Sequence, residues 1–182
     1  MRDLSMHIMD IVQNSLTAKA TKVSIEIIED INIDTYTIII EDNGIGMSRD
    51  YVLTISDPYV TSRTTRKVGL GIPLLKQNAE RTGGSISIDS TEGEGTTVKA
   101  FFSIFHPDRP PLGDIAGTIV LLCAANPQTE LTYRHTTQKG VYLYDTKSIT
   151  EELDGISISE PSVVRFLKEM INENLEQIEA SK

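Results

Sequence analysis

One cysteine, Cys123, is all that the chain of 182 residues contains. A disulfide framework within the chain is thereby excluded, and such sparing cysteine use suits a reducing cytoplasm. Cys123 falls in the apolar run from Thr118 to Ala125 and reads as a small buried hydrophobe rather than a nucleophile. Positive charge is also short: 17 Lys and Arg stand against 26 Asp and Glu, a formal net charge of −9. Nucleic-acid binding needs a basic face whose contacts release counterions, so that class of partner is not expected. A nucleotide remains compatible with an acidic chain, because a metal ion, backbone N–H groups and one or two basic residues neutralise phosphates locally. No apolar run is long enough to span a bilayer. The first ten residues lack the basic flank and apolar stretch of a secretory signal, and a cytoplasmic, membrane-free chain is the expectation.

What is present is ordinary globular sequence, 39% hydrophobic and 24% charged, enough to bury a core at this length. The length favours one domain with an appendage, or two small domains sharing an interface. Leu4, Ile8, Ile11, Val12 and Leu16 fall near helical spacing and predict a helix over 4–20. Alternation predicts strands over 22–28 and 36–41, joined as a hairpin. A short helix is expected over 48–53 and a polar loop over 56–68. A helix over 71–82 should stop at Gly83-Gly84, and two strands follow, over 85–90 and 96–105, around a glycine turn. Pro107, Pro110 and Pro111 mark 106–114 as a linker. Beyond it come a helix over 115–125, a hairpin over 130–135 and 140–146, a short helix with capping-box spacing at Ser148 and Glu151, and an amphipathic helix from Pro161. Domain limits of 1–105, 106–114 and 115–182 are expected, the last a small α/β element. The class is α+β, with helices on one face of a mixed sheet.

Four short motifs sit at element boundaries. Asp10 and Asn14, one turn apart, project from one face of the first helix; hard oxygen donors of this kind suit a hydrated magnesium ion, although a solvated polar stripe gives the same pattern. Glu41 to Met47 follows a strand. Asp42 there could accept a hydrogen bond from an exocyclic amine, and Gly44 and Gly46 would let the backbone approach a flat ring; alone, the segment is also an Asn-Gly turn. Gly69 and Gly71 open a helix whose free N–H groups attract phosphate oxygens, or simply make a tight loop-to-helix turn. Gly93 to Thr97 lies between strands and would pass for a hairpin.

Taken in order, these segments resemble the N, G1, G2 and G3 boxes of the GHKL superfamily, which includes histidine kinases, gyrase B and MutL. The run from Val68 to Phe102 closely resembles the end of a histidine-kinase catalytic domain, and Asp57 to Arg63 is similar to the F box of those kinases. The resemblance covers about the first 105 residues. It implies a Bergerat-type two-layer α/β sandwich that binds ATP and magnesium. By position it implies that Asn14 coordinates the metal, that Asp42 bonds the adenine amine with Thr97 in support, and that Gly44 and Gly46 shape the pocket. Gly69, Leu70 and Gly71 would border the phosphates, the 48–68 segment would form the ATP lid, and Thr61, Ser62 and Arg63 would approach the nucleotide.

Two departures bear on activity. Asp10 occupies the place where MutL-type ATPases carry a glutamate base, one methylene longer, and Thr17 matches neither the kinase nor the MutL-type pattern. Of the three histidines, His7 lies one turn before Asp10, while His106 and His135 read as structural. A phosphoacceptor is therefore expected on another chain. The leading expectation is a signalling or regulatory kinase-like module acting on a protein partner, with a homodimer possible. The alternatives are an ATP-hydrolysing conformational switch, with Asp10 as its base, and a non-enzymatic nucleotide sensor.

Overall fold

The structure, a computed structural model, describes residues 3–55 and 71–181. The chain opens with α1 (Leu4–Thr17), capped by Asp3, whose carboxylate accepts from Met6 N. The helix buries Leu4, His7, Ile8, Ile11, Val12 and Ser15, the stripe expected of one helical face. It ends three residues before the expected Ala20. Lys19 takes a left-handed conformation (φ 62°), Lys19 N donates to Leu16 O, and Ala20 N donates to Ser15 O, both at 3.0 Å. That pair of bonds is a Schellman C-cap. The same motif closes α3 (Gly71–Arg81) at Gly83 and α6 (Pro161–Gln177) at Glu179.

Strands β1 (Lys22–Asp30) and β2 (Thr35–Asp42) form the expected hairpin, as do β3 (Ser85–Thr91) with β4 (Gly95–Phe102), and β5 (Glu130–Thr137) with β6 (Gly140–Asp145). All six belong to one mixed sheet in the order β3-β4-β2-β1-β5-β6. The β1–β5 pair is parallel, from Lys22 opposite Glu130 to Ile28 opposite Thr136, and the other pairs are antiparallel. Alternation sorts the faces. Val23, Ile25, Ile27, Ile38, Ile40, Val98, Ala100, Phe102, Leu131 and Tyr133 are buried, while Ser24, Glu41, Ser87, Asp89 and Arg134 on the opposite face are exposed. The result is an α+β two-layer sandwich, with α1, α3, α4 (Ile115–Ala125) and α6 on the buried side.

One hydrophobic core runs through both halves of the chain. The proline-rich segment is part of the same body: Leu4 N donates to Pro111 O and Ser5 N to Leu112 O, each at 2.9 Å, Leu112 is buried, and Arg109 stacks 4.8 Å from the Tyr36 ring centroid. Helix α2 runs over Arg49–Ile55, so it passes the expected end at Leu53. Helix α5 spans Thr146–Glu152. Its cap is Asp145 rather than Ser148, because the carboxylate at the end of β6 reaches Lys147 N at 3.0 Å before the Ser148 turn is reached. The expected loop over 56–68 lies outside the described residues.

A polar cluster is sealed under the far end of the sheet. His135 is fully buried, with Nε2 2.7 Å from Glu29 Oε1 and Nδ1 2.7 Å from the Tyr133 hydroxyl. Ser181 N donates to the same Glu29 oxygen at 2.9 Å. Burial works against the charged form of Glu29, but the bonds from His135 and Ser181 outweigh it and hold its carboxyl below the usual range. His135 is thus committed to the core.

Candidate functional site

At the opposite end of β2 a cavity of about 660 Å³ opens between α1, α2, the start of α3 and the β3–β4 hairpin. Its volume lies within the range of small-molecule sites. Ile11, Ile45, Met47, Ile55, Ile72 and Val98 supply apolar walls, and Asn14, Ser15, Asp42, Tyr51 and Thr96 supply the polar groups. A lining of this kind suits a flat, mostly apolar ring carrying a few hydrogen-bonding edges.

Asp42 is placed by two independent ties. Its Oδ2 accepts from the Ser15 hydroxyl at 2.6 Å, and its Oδ1 accepts from Gly44 N at 2.8 Å. Each carboxylate oxygen keeps a further lone pair, so the group can still accept a bond from a ligand amine at the cavity wall. Ser15 is held in turn by burial on α1, where it is 3% exposed.

The backbone after Asp42 is fastened along its length. Asn43 Oδ1 accepts from Thr21 N and Lys22 N (2.9 and 2.8 Å), and its Nδ2 donates to Thr21 Oγ1. Ile45 N donates to Ala18 O at 2.9 Å, Gly93 N donates to Ile45 O at 2.8 Å, and Met47 N donates to the Ser90 hydroxyl at 2.9 Å. Two glycines make this closeness possible. Gly46 has φ 64°, and a β-carbon there would overlap the Thr91 carbonyl; Gly95 has φ 125°, and a β-carbon there would overlap the Asp42 carbonyl. An L side chain at either position meets both backbone strain and a fixed carbonyl.

The structure brings Asn14, Asp42 and Gly46 together around the cavity. Gly44 stands just behind it, against Ala18 O. Thr97 is not in this group. It pairs across from Glu41, whereas Thr96 pairs across from Asp42, so alternation turns Thr96 to the cavity and Thr97 to the other face of the sheet. The position beside Asp42 thus belongs to Thr96, whose hydroxyl lies 2.9 Å from that of Ser90. Asp10 stands at the head of α3: a β-carbon on Gly71 would lie 3.0 Å from Asp10 Cβ and 3.3 Å from its Oδ2. Thr61, Ser62, Arg63, Gly69 and Leu70 lie outside the described residues.

Reasoning from sequence missed Ser15, Tyr51 and Thr96. Thr96 was accessible: Thr96, Val98, Ala100 and Phe102 form a period-2 row ending in buried apolar residues. Ser15 and Tyr51 carried no local signal, since their value comes from partners distant in sequence. For a cation, no group of three or more His, Cys, Asp or Glu side chains is gathered among the described residues. A magnesium ion held at Asn14 would take its other ligands from phosphate and water, which is how magnesium is ordinarily bound, and the exposed amide of Asn14 at the cavity edge fits that role.

Residues 2–107 match the family described as histidine kinase-, DNA gyrase B-, and HSP90-like ATPase, and the chain belongs to that family. Among proteins similar to it, a probable C4-dicarboxylate sensor kinase of Bacillus subtilis is 36% identical over 89 residues, 49% of this chain and 15% of the kinase. A putative sensor protein of Shewanella frigidimarina is 28% identical over 109 residues, 59% of this chain and 17% of that protein. The chain thus spans under a fifth of the length of these relatives. Among solved structures, the Aquifex aeolicus MutL ATPase domain complexed with ADP superposes with a TM-score of 0.54 at 19% identity, over 85% of this chain and 68% of that one. This is a likeness of fold.

Proposed function

We propose that the chain binds Mg-ATP in the cavity beside Asp42 and acts as a kinase-like regulatory module on a protein partner. The carrying observation is the Asp42 carboxylate, held on one oxygen by Ser15 and on the other by Gly44 N, at the wall of an apolar slot. In this reading Asp42 accepts the adenine amine and Thr96 supports that contact. Ile45 and Met47 flank the ring, and Asn14 supplies a magnesium ligand. The free N–H groups at the start of α3 receive phosphate oxygens. Gly69, Leu70, Thr61, Ser62 and Arg63 belong to the phosphate side by resemblance. When bound, the metal would neutralise phosphate charge. The acidic chain, with a net charge of −9, favours a protein over a nucleic acid as partner, either an acceptor on another chain or a second copy, in a cytoplasmic setting.

The contact between Asp10 and Gly71 favours a second reading, hydrolysis, in which Asp10 takes a proton from an attacking water. Isothermal titration of Mg-ATP into wild type and Asp42→Asn tests the first reading. Saturable binding lost or much weakened in the variant supports it, and no binding to folded wild type sinks it. Phosphate release that is absent in Asp10→Asn while binding persists would support the second.

A further inference from the structure

His7 is the most completely buried imidazole near the site, and the mechanism above gives it no task. Its relative exposure is 0%. The ring bridges two helices: Nε2 lies 2.9 Å from Asn78 Nδ2 on α3. An amide nitrogen can only donate, so Nε2 is the acceptor and the ring proton resides on Nδ1. That nitrogen is buried without a hydrogen bond among the described residues, and the backbone of Gly71, the first residue of α3, acts on the ring in favour of its protonated form. Burial lowers the pKa of His7, which favours the neutral ring.

The placement is specific. Gly71 and Asn78 are seven residues apart and share a face of α3, and the Asn78 side chain leans back toward the helix start. On the facing helix, Asp10 is one turn beyond His7, and a β-carbon on Gly71 would lie 3.0 Å from its Cβ. The head of α3 therefore faces two polar side chains of α1, a carboxyl group and an imidazole. A buried N–H with no partner is costly unless a bond is completed, and the backbone group that acts on this ring as an acceptor is that of Gly71.

We propose that His7 is a positioning residue for phosphate binding: its Nδ1–H fixes the Gly71 carbonyl, and with it the first turn of α3, so that the free N–H groups of that turn meet the phosphate chain of a nucleoside triphosphate. The proposal rests on the nucleotide reading above and adds a division of labour to it. The base end of the ligand answers to Asp42, and the phosphate end answers to His7 through α3. Nothing in this role brings His7 into contact with the ligand.

The test compares Mg-ATP and adenosine binding by titration calorimetry for wild type, His7→Leu and His7→Gln, each checked for its melting temperature. His7→Leu is expected to weaken ATP roughly tenfold while leaving adenosine within about twofold. His7→Gln, whose amide offers both an acceptor and a donor, is expected to recover most of the loss. ATP and adenosine weakening together, or a loss that His7→Gln does not repair, would reduce the residue to core filling and overturn the proposal. The ¹⁵N shifts of the His7 ring give a second reading: a proton on Nδ1 supports it, and a proton on Nε2 overturns it. Wild-type protein that binds no ATP overturns the nucleotide reading and this inference with it. Wild-type binding with undiminished affinity in His7→Leu overturns this inference alone.

Discussion

Replacing Ser15 with alanine removes one of the two ties on Asp42 and, besides it, only a longer contact of the same hydroxyl with the Ile11 carbonyl at 3.3 Å. The bond lost is short, 2.6 Å, and runs from a buried hydroxyl to a carboxylate. Hydrogen bonds to charged groups contribute about 1.5–3 kcal/mol. Asp42 is only partly buried, so water replaces some of the loss, and about 1–1.5 kcal/mol is the expected cost to ligand binding. That corresponds to an affinity loss of about fivefold to tenfold. Stability should fall by no more than about 1 kcal/mol, because alanine in a helix gains about 0.5 kcal/mol over serine and the carboxylate keeps its bond from Gly44 N. Calorimetric titration of both Mg-ATP and adenosine is the assay, since a defect at the base end must weaken the two equally. Unchanged affinity in Ser15→Ala, with wild type binding ATP, would refute the idea that Ser15 aims Asp42. So would a loss confined to ATP.

Thr96→Val should weaken adenosine and ATP about threefold to tenfold by removing a hydroxyl from the cavity wall, whereas Thr97→Val should stay within about twofold; titrations showing the reverse would return Thr97 to the site. Glu29 gives an acid limb to stability. Its folded pKa lies below its ordinary value of 4.5, so its contribution is complete above that value and lost as pH falls through the lower folded one. Melting temperature measured from pH 6 downward should therefore fall less steeply in Glu29→Gln than in wild type, and an unchanged slope would show that other carboxylates set the acid limb. Lys19→Gly should stabilise the chain by about 0.5–1 kcal/mol, because glycine occupies the left-handed turn without the β-carbon penalty; thermal melts rising by about 1–4 °C would agree, and a fall would not.

Periodicity made most elements legible. The 3.6-residue stripe of α1 and the alternation of β1 and β2 are local signals that need no knowledge of partners, and Gly83-Gly84 announced the end of α3 through backbone chemistry alone. The end of α1 was not legible, because its left-handed cap falls on Lys19, a residue that rarely takes that conformation. The parallel pairing of β1 with β5 joins residues more than a hundred positions apart, and nothing local in either strand specifies the other. The site divides in the same way. Asp42, Gly44 and Gly46 were singled out through the resemblance of four boxes in family order, since the segment taken alone is equally an Asn-Gly turn. Ser15 was hidden, since a serine on the buried side of a helix looks like a defect until its carboxylate partner 27 residues away is known.

In the roles proposed for Ser15 and His7, both ends of the cavity are set from one rigid element. Ser15 and His7 lie on the buried stripe of α1, a little over two turns apart, or about 12 Å at 1.5 Å per residue. One ties the carboxylate at the base end, and the other is aimed at the head of α3. A helix interior does not stretch, so α1 fixes the distance between the two ends before any ligand arrives. At that separation, with no shared partner, two substitutions should act independently to within about 0.5 kcal/mol. The Ser15→Ala/His7→Leu double variant should therefore lose ATP affinity by the product of the single losses, and adenosine affinity by the Ser15 loss alone. A double variant no weaker toward ATP than the worse single one would mean that α1 moves as a unit and carries both effects through its own position. In that case the two ties would be one.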